Sequence, residues 1–232
     1  SMNELWGLTA ERLFTKDDFN ADGTLKYGIP SQEGVGGIKL RPGDIKYTDM
    51  NGDGIITEED EGVIGGTIDP RIVYGFGGVI SYKNFDFNFF FQGAGDTQRM
   101  IGGSAYFLPG SGTTVQGNAY LENFNDRWTE ENQNPYAFWP GLRYGPYINN
   151  YRASTWWKKD ISFLRCRTLE LGYTFIQPWL KACYVKSIRL YCSGNNLFCL
   201  SKFKLWDPEI NTADGLRYPM NRSYQVGIDI NF

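Results

Sequence analysis

In the octet Phe85-Asp86-Phe87-Asn88-Phe89-Phe90-Phe91-Gln92 every odd position is phenylalanine, while the even positions are Asp86, Asn88, Phe90 and Gln92. Side chains sort by parity only in extended chain, so the octet reads as a strand with one oily face. Four phenylalanines in a row open to water would template aggregation, so the stripe must meet a core, a partner or lipid. Tyr224 to Phe232 repeats the pattern. Tyr224, Val226, Ile228, Ile230 and Phe232 fall on one face, and Gln225, Gly227, Asp229 and Asn231 on the other.

More of the chain follows suit. Ile72 to Tyr82 reads as a strand, joined to the phenylalanine strand by the hairpin-length link Lys83-Asn84. Ile161 to Phe175 alternates best in its second half, Ser187 to Leu200 supplies another strand, and Glu4 to Phe14 a weaker one, about six in all. Flat rings and turn-forming glycines suit such a chain: aromatics make up 16% and there are 28 Gly. The expected fold class is therefore all-β and antiparallel.

The connections alternate in length. They are long over 15–70, short at 83–84, long over 95–160, moderate over 177–186 and long over 201–221. Tight turns on one side and long loops on the other describe a transmembrane β-barrel segment with long extracellular loops. A soluble, calcium-stabilised β-sandwich acting as a carbohydrate-binding module shares the alternation and is the second reading.

Several classes fall away. The 232 residues hold no histidine, which removes serine-histidine and cysteine-histidine catalysis within the chain. A net charge of −3 offers no general field for nucleic acid, although Lys158-Lys159 and the 202–204 segment are locally basic. Cys166, Cys183, Cys192 and Cys199 lack zinc-type spacing and read as small apolar side chains. No apolar run is long enough for a transmembrane helix, and Ser1-Met2-Asn3 is no signal peptide and reads as an internal cut.

An ordered series of short motifs then stands out: Pro42-Gly43-Asp44-Ile45-Lys46-Tyr47, the loop Asp49-Met50-Asn51-Gly52-Asp53-Gly54, Val63-Ile64-Gly65, the 85–93 run, Phe163-Leu164-Arg165 through Leu169-Glu170-Leu171-Gly172-Tyr173, Gly194-Asn195-Asn196-Leu197-Phe198, Trp206-Asp207-Pro208-Glu209, and a closing aromatic strand. From about Leu5 to Phe232 the series resembles the C-terminal part of a SusC/RagA-type TonB-dependent transporter. The resemblance implies a barrel of about 22 strands with a plugged lumen in the outer membrane of a Gram-negative bacterium. It further implies import of glycans or oligopeptides, a SusD-like surface lipoprotein as lid, TonB as energy source acting through an N-terminal part, and no catalysis. Neither a plug-like region nor a TonB-contacting box is found here, so the chain reads as the C-terminal barrel segment alone.

Three sets of candidate residues follow. Asp49, Asn51, Asp53, Ile55 (through its carbonyl), Thr57 and Asp60 keep the order of a calcium loop with Gly54 at the turn, which suits structural Ca2+. Position twelve is Asp60 where an EF-hand has Glu, so a self-bonded Asx-rich turn is the alternative. Trp128, Trp139, Trp156 and Trp157, in a loop that also holds Tyr144, Tyr147 and Tyr151, offer faces for sugar stacking, against self-packing of a large loop. Tyr224, Val226, Ile228, Ile230 and Phe232 resemble the terminal signal that outer-membrane assembly machinery reads.

Overall fold

The computed structural model describes residues 4–103, 125–143, 147–182 and 184–232. Among them eleven strands follow in order: β1 (Glu4–Gly7), β2 (Ala10–Leu13), β3 (Ile45–Tyr47), β4 (Gly62–Thr67), β5 (Ile72–Tyr82), β6 (Phe85–Gly95), β7 (Gln98–Met100), β8 (Lys158–Asp160), β9 (Phe163–Phe175), β10 (Ser187–Ser201) and β11 (Ser223–Asn231), with one short helix, α1 (Pro178–Ala182), between β9 and β10. The chain divides into two units.

One unit is a single antiparallel sheet in the order β11-β10-β9-β6-β5. Its register keeps parity across the strands. Ile80 stands opposite Phe87, Phe87 opposite Leu171, Leu171 opposite Cys192 and Cys192 opposite Val226. One position along, Val79, Asn88, Glu170, Ser193 and Gln225 make the matching row of the other face. The Lys83-Asn84 link closes the β5–β6 hairpin with Lys83 in the left-handed region, at φ 55°.

The Gly194 to Phe198 motif is a β-bulge. Asn196 takes φ 53°, the register shifts between Asn195 and Phe198, and Leu197 folds over Gly194, where a Cβ would lie 2.5 Å from Leu197 Cδ2. The extra residue returns Phe198 to the oily row opposite Cys166. Among the described strands β5 and β11 each pair on one side only, so both edges of the sheet are open.

The other unit holds three two-stranded pairings, β1 with β4, β2 with β3 and β7 with β8. Its core packs Leu8, Leu13, Phe14, Ile45, Tyr47, Ile56 and Trp157 out of solvent. The segment from Glu4 to Phe14, expected as one weaker strand of the sheet, belongs here instead, split into β1 and β2 with two different partners. Its buried apolar residues, Leu5, Leu8, Leu13 and Phe14, are not on one parity: the strand breaks at Leu8-Thr9, and β2 ends at Leu13. The sheet therefore contains five of the expected strands.

Three-residue β3 shows how this unit satisfies its backbone. One edge pairs with β2; on the other, Gln32 Nε2 and Asn149 Nδ2 donate to the Ile45 carbonyl at 2.9 and 3.0 Å. The Ile45 and Tyr47 amides donate to Asn150 Oδ1 and Gln32 Oε1 at 3.0 and 2.7 Å. Side-chain amides stand in for a missing strand, and each replaces a bond whose loss in the interior costs about 1–3 kcal/mol. Just before β3, Gly43 takes φ 89°, and a Cβ there would lie 2.4 Å from the Trp128 ring.

Candidate functional site

The sheet presents two chemically opposite faces. On the oily one, rings pass contacts from strand to strand: Phe76 stacks on Phe91 with centroids 5.2 Å apart, Phe91 lies 6.1 Å from Phe198, and Phe85 meets Tyr173 edge-on at 4.6 Å. These rings pack sideways, yet the face stays open. Ile80, Leu171, Leu190, Tyr224, Val226, Ile228 and Ile230 are all exposed, Val226 to 84%. So large an apolar surface is untenable in water. Phe232, just beyond β11, is exposed too, and its carbonyl accepts from Lys186 Nζ at 2.7 Å.

The opposite face is laced with charge. Arg189 donates from Nε to Asp86 at 3.0 Å, from Nη2 to Glu170 at 2.6 Å and from Nη1 to Asp229 at 3.2 Å, binding four strands. Gly172 gives it room, since a Cβ there would lie 2.6 Å from Arg189 Nη2 and from Asp86 Oδ1. Gly227 does the same for the Tyr191 ring, whose Cζ would be 2.3 Å from an added Cβ. Near the other end of β9, Arg165 pairs with Asp207 and Glu209, and Arg167 with Glu209. Trp206-Asp207-Pro208-Glu209, one of the motifs of the series, is thus an acidic clasp on two arginines of β9. A basic pair at the start of β9 and an acidic pair in the loop after β10 were the available signal; the separation of 42 residues hid the match.

The Asp49 loop closes on its own backbone. Asp49 Oδ1 and Oδ2 accept from the Gly52 and Gly54 amides at 2.6 and 2.8 Å, Asn51 Oδ1 from the Asp53 amide at 3.0 Å, and Asp53 Oδ1 from the Ile55 amide at 2.8 Å. Asp60, buried, joins the two ends: Oδ1 accepts from Met50 at 2.8 Å and Oδ2 from Thr57 at 2.8 Å, while Thr57 Oγ1 accepts from Glu59. Burial pushes the Asp60 carboxyl up, but these N–H bonds outweigh it and hold it below the usual range. The loop exit is pinned where the Ser31 amide donates to the Gly54 carbonyl at 3.0 Å and the Ile56 amide donates to the Ser31 carbonyl at 2.7 Å. Among the described residues no three His, Cys, Asp or Glu side chains converge as a metal site would require.

The four tryptophans part company. Trp128, Trp139 and Trp157 are buried at 6%, 3% and 1% exposure and pack the unit, with Trp128 also reaching an open cavity of about 270 Å³ among Arg41, Arg127 and Glu130. Trp157 also donates from Nε1 to the Asn150 carbonyl at 2.9 Å. Trp156 differs: with Phe138, Tyr136, Asp126 and Lys159 it lines an open cavity of about 290 Å³. The Lys159 ammonium sits 4.2 Å from the Phe138 ring centroid, and burial lowers it to about 8. Tyr147 and Tyr151 are described; Tyr144 lies outside the described residues, as does Cys183.

With the geometry in hand, comparison with known proteins is direct. No protein-family model matches the chain. The chain is 32% identical over 220 residues to TonB-dependent receptor P26 of Formosa agariphila, which covers 87% of this chain and 21% of that protein. It is 27% identical over 198 residues to TonB-dependent receptor SusC of Bacteroides thetaiotaomicron, 83% of this chain and 18% of that one. In three dimensions it aligns with the RagAB peptide importer in its open-open state at a TM-score of 0.65 and 24% identity, covering 98% of this chain and 22% of that chain. The closed-closed state gives 0.64 at 20% identity, covering 99% and 23%. The chain thus spans about a fifth of the length of the relatives it matches. Sequence and fold together place it with the TonB-dependent receptors of the SusC/RagA type.

Proposed function

We propose that the chain forms part of the wall of an outer-membrane transporter barrel, and that the complete protein imports nutrients. The observation that carries this is the pairing of one oily, exposed face with one charged face on a sheet whose two edges are open. Lipid would cover the first face, a polar lumen would meet the second, and further strands would continue both edges. Glycans or oligopeptides are the expected cargo, TonB the energy source acting through another part of the protein, and a SusD-like lipoprotein the lid. No residue is given a catalytic role. Within this reading Trp156 is the tryptophan proposed to meet cargo, because it is the least buried of the four and lines a cavity whose rim joins the Tyr136 and Phe138 rings to Lys159 and Asp126.

Two structural roles complete the proposal. The Asp49 loop serves as a latch that holds its segment by side-chain to backbone bonds, with Ca2+ as an added ligand only if titration finds it. The row from Tyr224 to Phe232 serves as the signal that assembly machinery reads. Uptake tests the whole: the transporter carrying this segment should fractionate with the outer membrane and restore growth on one oligosaccharide or oligopeptide class to a transporter-deletion strain. Recovery of the protein as a folded monomer in detergent-free buffer would contradict the proposal.

A further inference from the structure

The oily row of β10 does not end in water-facing loop; it ends in lysine. Phe198 and Leu200 point to the oily face, and the alternation persists past the strand: Lys202 is exposed, Phe203 buried, Lys204 exposed. The turn is held in that setting. The Phe203 amide donates to Ser201 Oγ at 3.1 Å, Ser201 Oγ donates to the Ser162 carbonyl at 2.8 Å, and the Phe203 ring meets Trp206 edge-on at 4.7 Å. Both lysines line the same cavity as Tyr74, Leu164 and Leu200 of the oily row, which places them at its apolar end. Among the described residues neither belongs to an ion pair. Beside them is a cavity of about 460 Å³ whose lining includes Tyr74, Leu164 and Leu200 from the oily face, Lys202, Lys204 and one acid, Asp160. The Tyr74 hydroxyl donates to the Phe163 carbonyl at 3.1 Å, which fixes its ring at this level.

We propose that this cavity binds the phosphate-bearing headgroup of a membrane lipid in the leaflet on the long-loop side, with Lys202 and Lys204 on the phosphate and Tyr74, Leu164 and Leu200 against the upper acyl chains. The inference rests on the barrel reading above. Its ground is charge complementarity at a set depth: unpaired lysines where an apolar surface ends match an anionic headgroup above hydrocarbon. A free anion would gain nothing from the leucines, and an apolar partner nothing from the lysines. Asp160 opposes the phosphate; its Oδ1 accepts the Ser162 amide at 2.8 Å, a bond that an asparagine oxygen can keep.

The test uses the intact transporter in neutral detergent, titrated by native mass spectrometry with diphosphorylated lipid A, with the same lipid stripped of phosphate, and with inorganic phosphate as competitor. Lysines near an anionic surface contribute about fivefold each, so K202Q/K204Q should weaken lipid A binding about 25-fold, whereas Lys26→Gln in the other unit leaves it unchanged. Asp160→Asn should tighten it. Equal binding by parent and K202Q/K204Q, equal binding of the dephosphorylated lipid, or displacement by millimolar phosphate alone would each overturn the inference. If the transporter is recovered from the outer membrane and fails only these comparisons, the headgroup site falls and the barrel reading stands; recovery in the soluble fraction removes both.

Discussion

Asp60 occupies the position where a calcium loop carries Glu, and the shorter side chain has its own use. Its two oxygens reach the Met50 and Thr57 amides at 2.8 Å each, closing the loop at both ends. An extra methylene would push the carboxylate past those amides. Asp60→Glu should therefore destabilise the protein by about 1–2 kcal/mol, equally in calcium and in EDTA, read as the unfolding midpoint. A calcium-dependent gain in the same variant would mark the loop as an ion site. Asp18 makes a second residue-scale case. Burial opposes its charge, but the bidentate Arg12 pair at 2.7 Å and the Thr15 amide win and lower its carboxyl to about 2. A depressed folded value stabilises above the unfolded value near 4 and is lost as pH falls toward 2, a contribution of about 2 kcal/mol at neutral pH. Asp18→Asn should remove it and flatten the acid limb of a stability-pH curve between those limits. The order of oxygens in the 49–60 loop was legible in sequence, because Asx turns and calcium loops need the same local spacing; which of the two forms depends on where each lone pair finds a donor, and sequence does not carry that.

Strands were the most legible elements, since period two is local and survives any tertiary arrangement. Their cross-strand chemistry was not. Arg189 gathers Asp86, Glu170 and Asp229 from three other strands, the first 103 residues away, and only the register brings Gly172 beneath it. The consequence is a coupling that a double-mutant cycle reads. Gly172→Ala should cost about 1–2 kcal/mol by displacing the guanidinium, and Arg189→Met about 1–3 kcal/mol by leaving three carboxylates facing one another. In the Arg189→Met background, Gly172→Ala should cost measurably less, because the guanidinium it strikes has gone and only the Asp86 carboxylate, released from its partner, has to move aside. The amides that edge β3 were hidden for the same reason: Gln32 and Asn149 meet across 117 residues, and a buried Gln or Asn carries no periodic mark. The tryptophans carried a signal with two readings. Their clustering announced either a binding surface or a core, and burial divides them three to one in favour of core.

At the scale of the whole molecule, the account depends on one division of labour: the row with Val226, Cys192, Leu171 and Phe87 meets lipid, and the row with Gln225, Ser193, Glu170 and Asn88 meets water. Arginine placed at Leu171 should then destabilise the membrane-embedded protein by about 2–4 kcal/mol, and arginine at Ser193 on the opposite face by far less. The sandwich alternative buries one face against a second sheet, and among the described residues the unit that holds the five-stranded sheet contains no other sheet. The most direct measurement scans β11 in the reconstituted intact protein with a single nitroxide label moved from Tyr224 to Asn231, recording collision rates with oxygen, which concentrates in lipid, and with a water-soluble relaxation agent. The account predicts strict alternation, with oxygen dominant at Tyr224, Val226, Ile228 and Ile230 and the aqueous agent dominant at Gln225, Gly227, Asp229 and Asn231. Equal accessibility along the strand, or aqueous dominance at Val226 and Ile228, would contradict it.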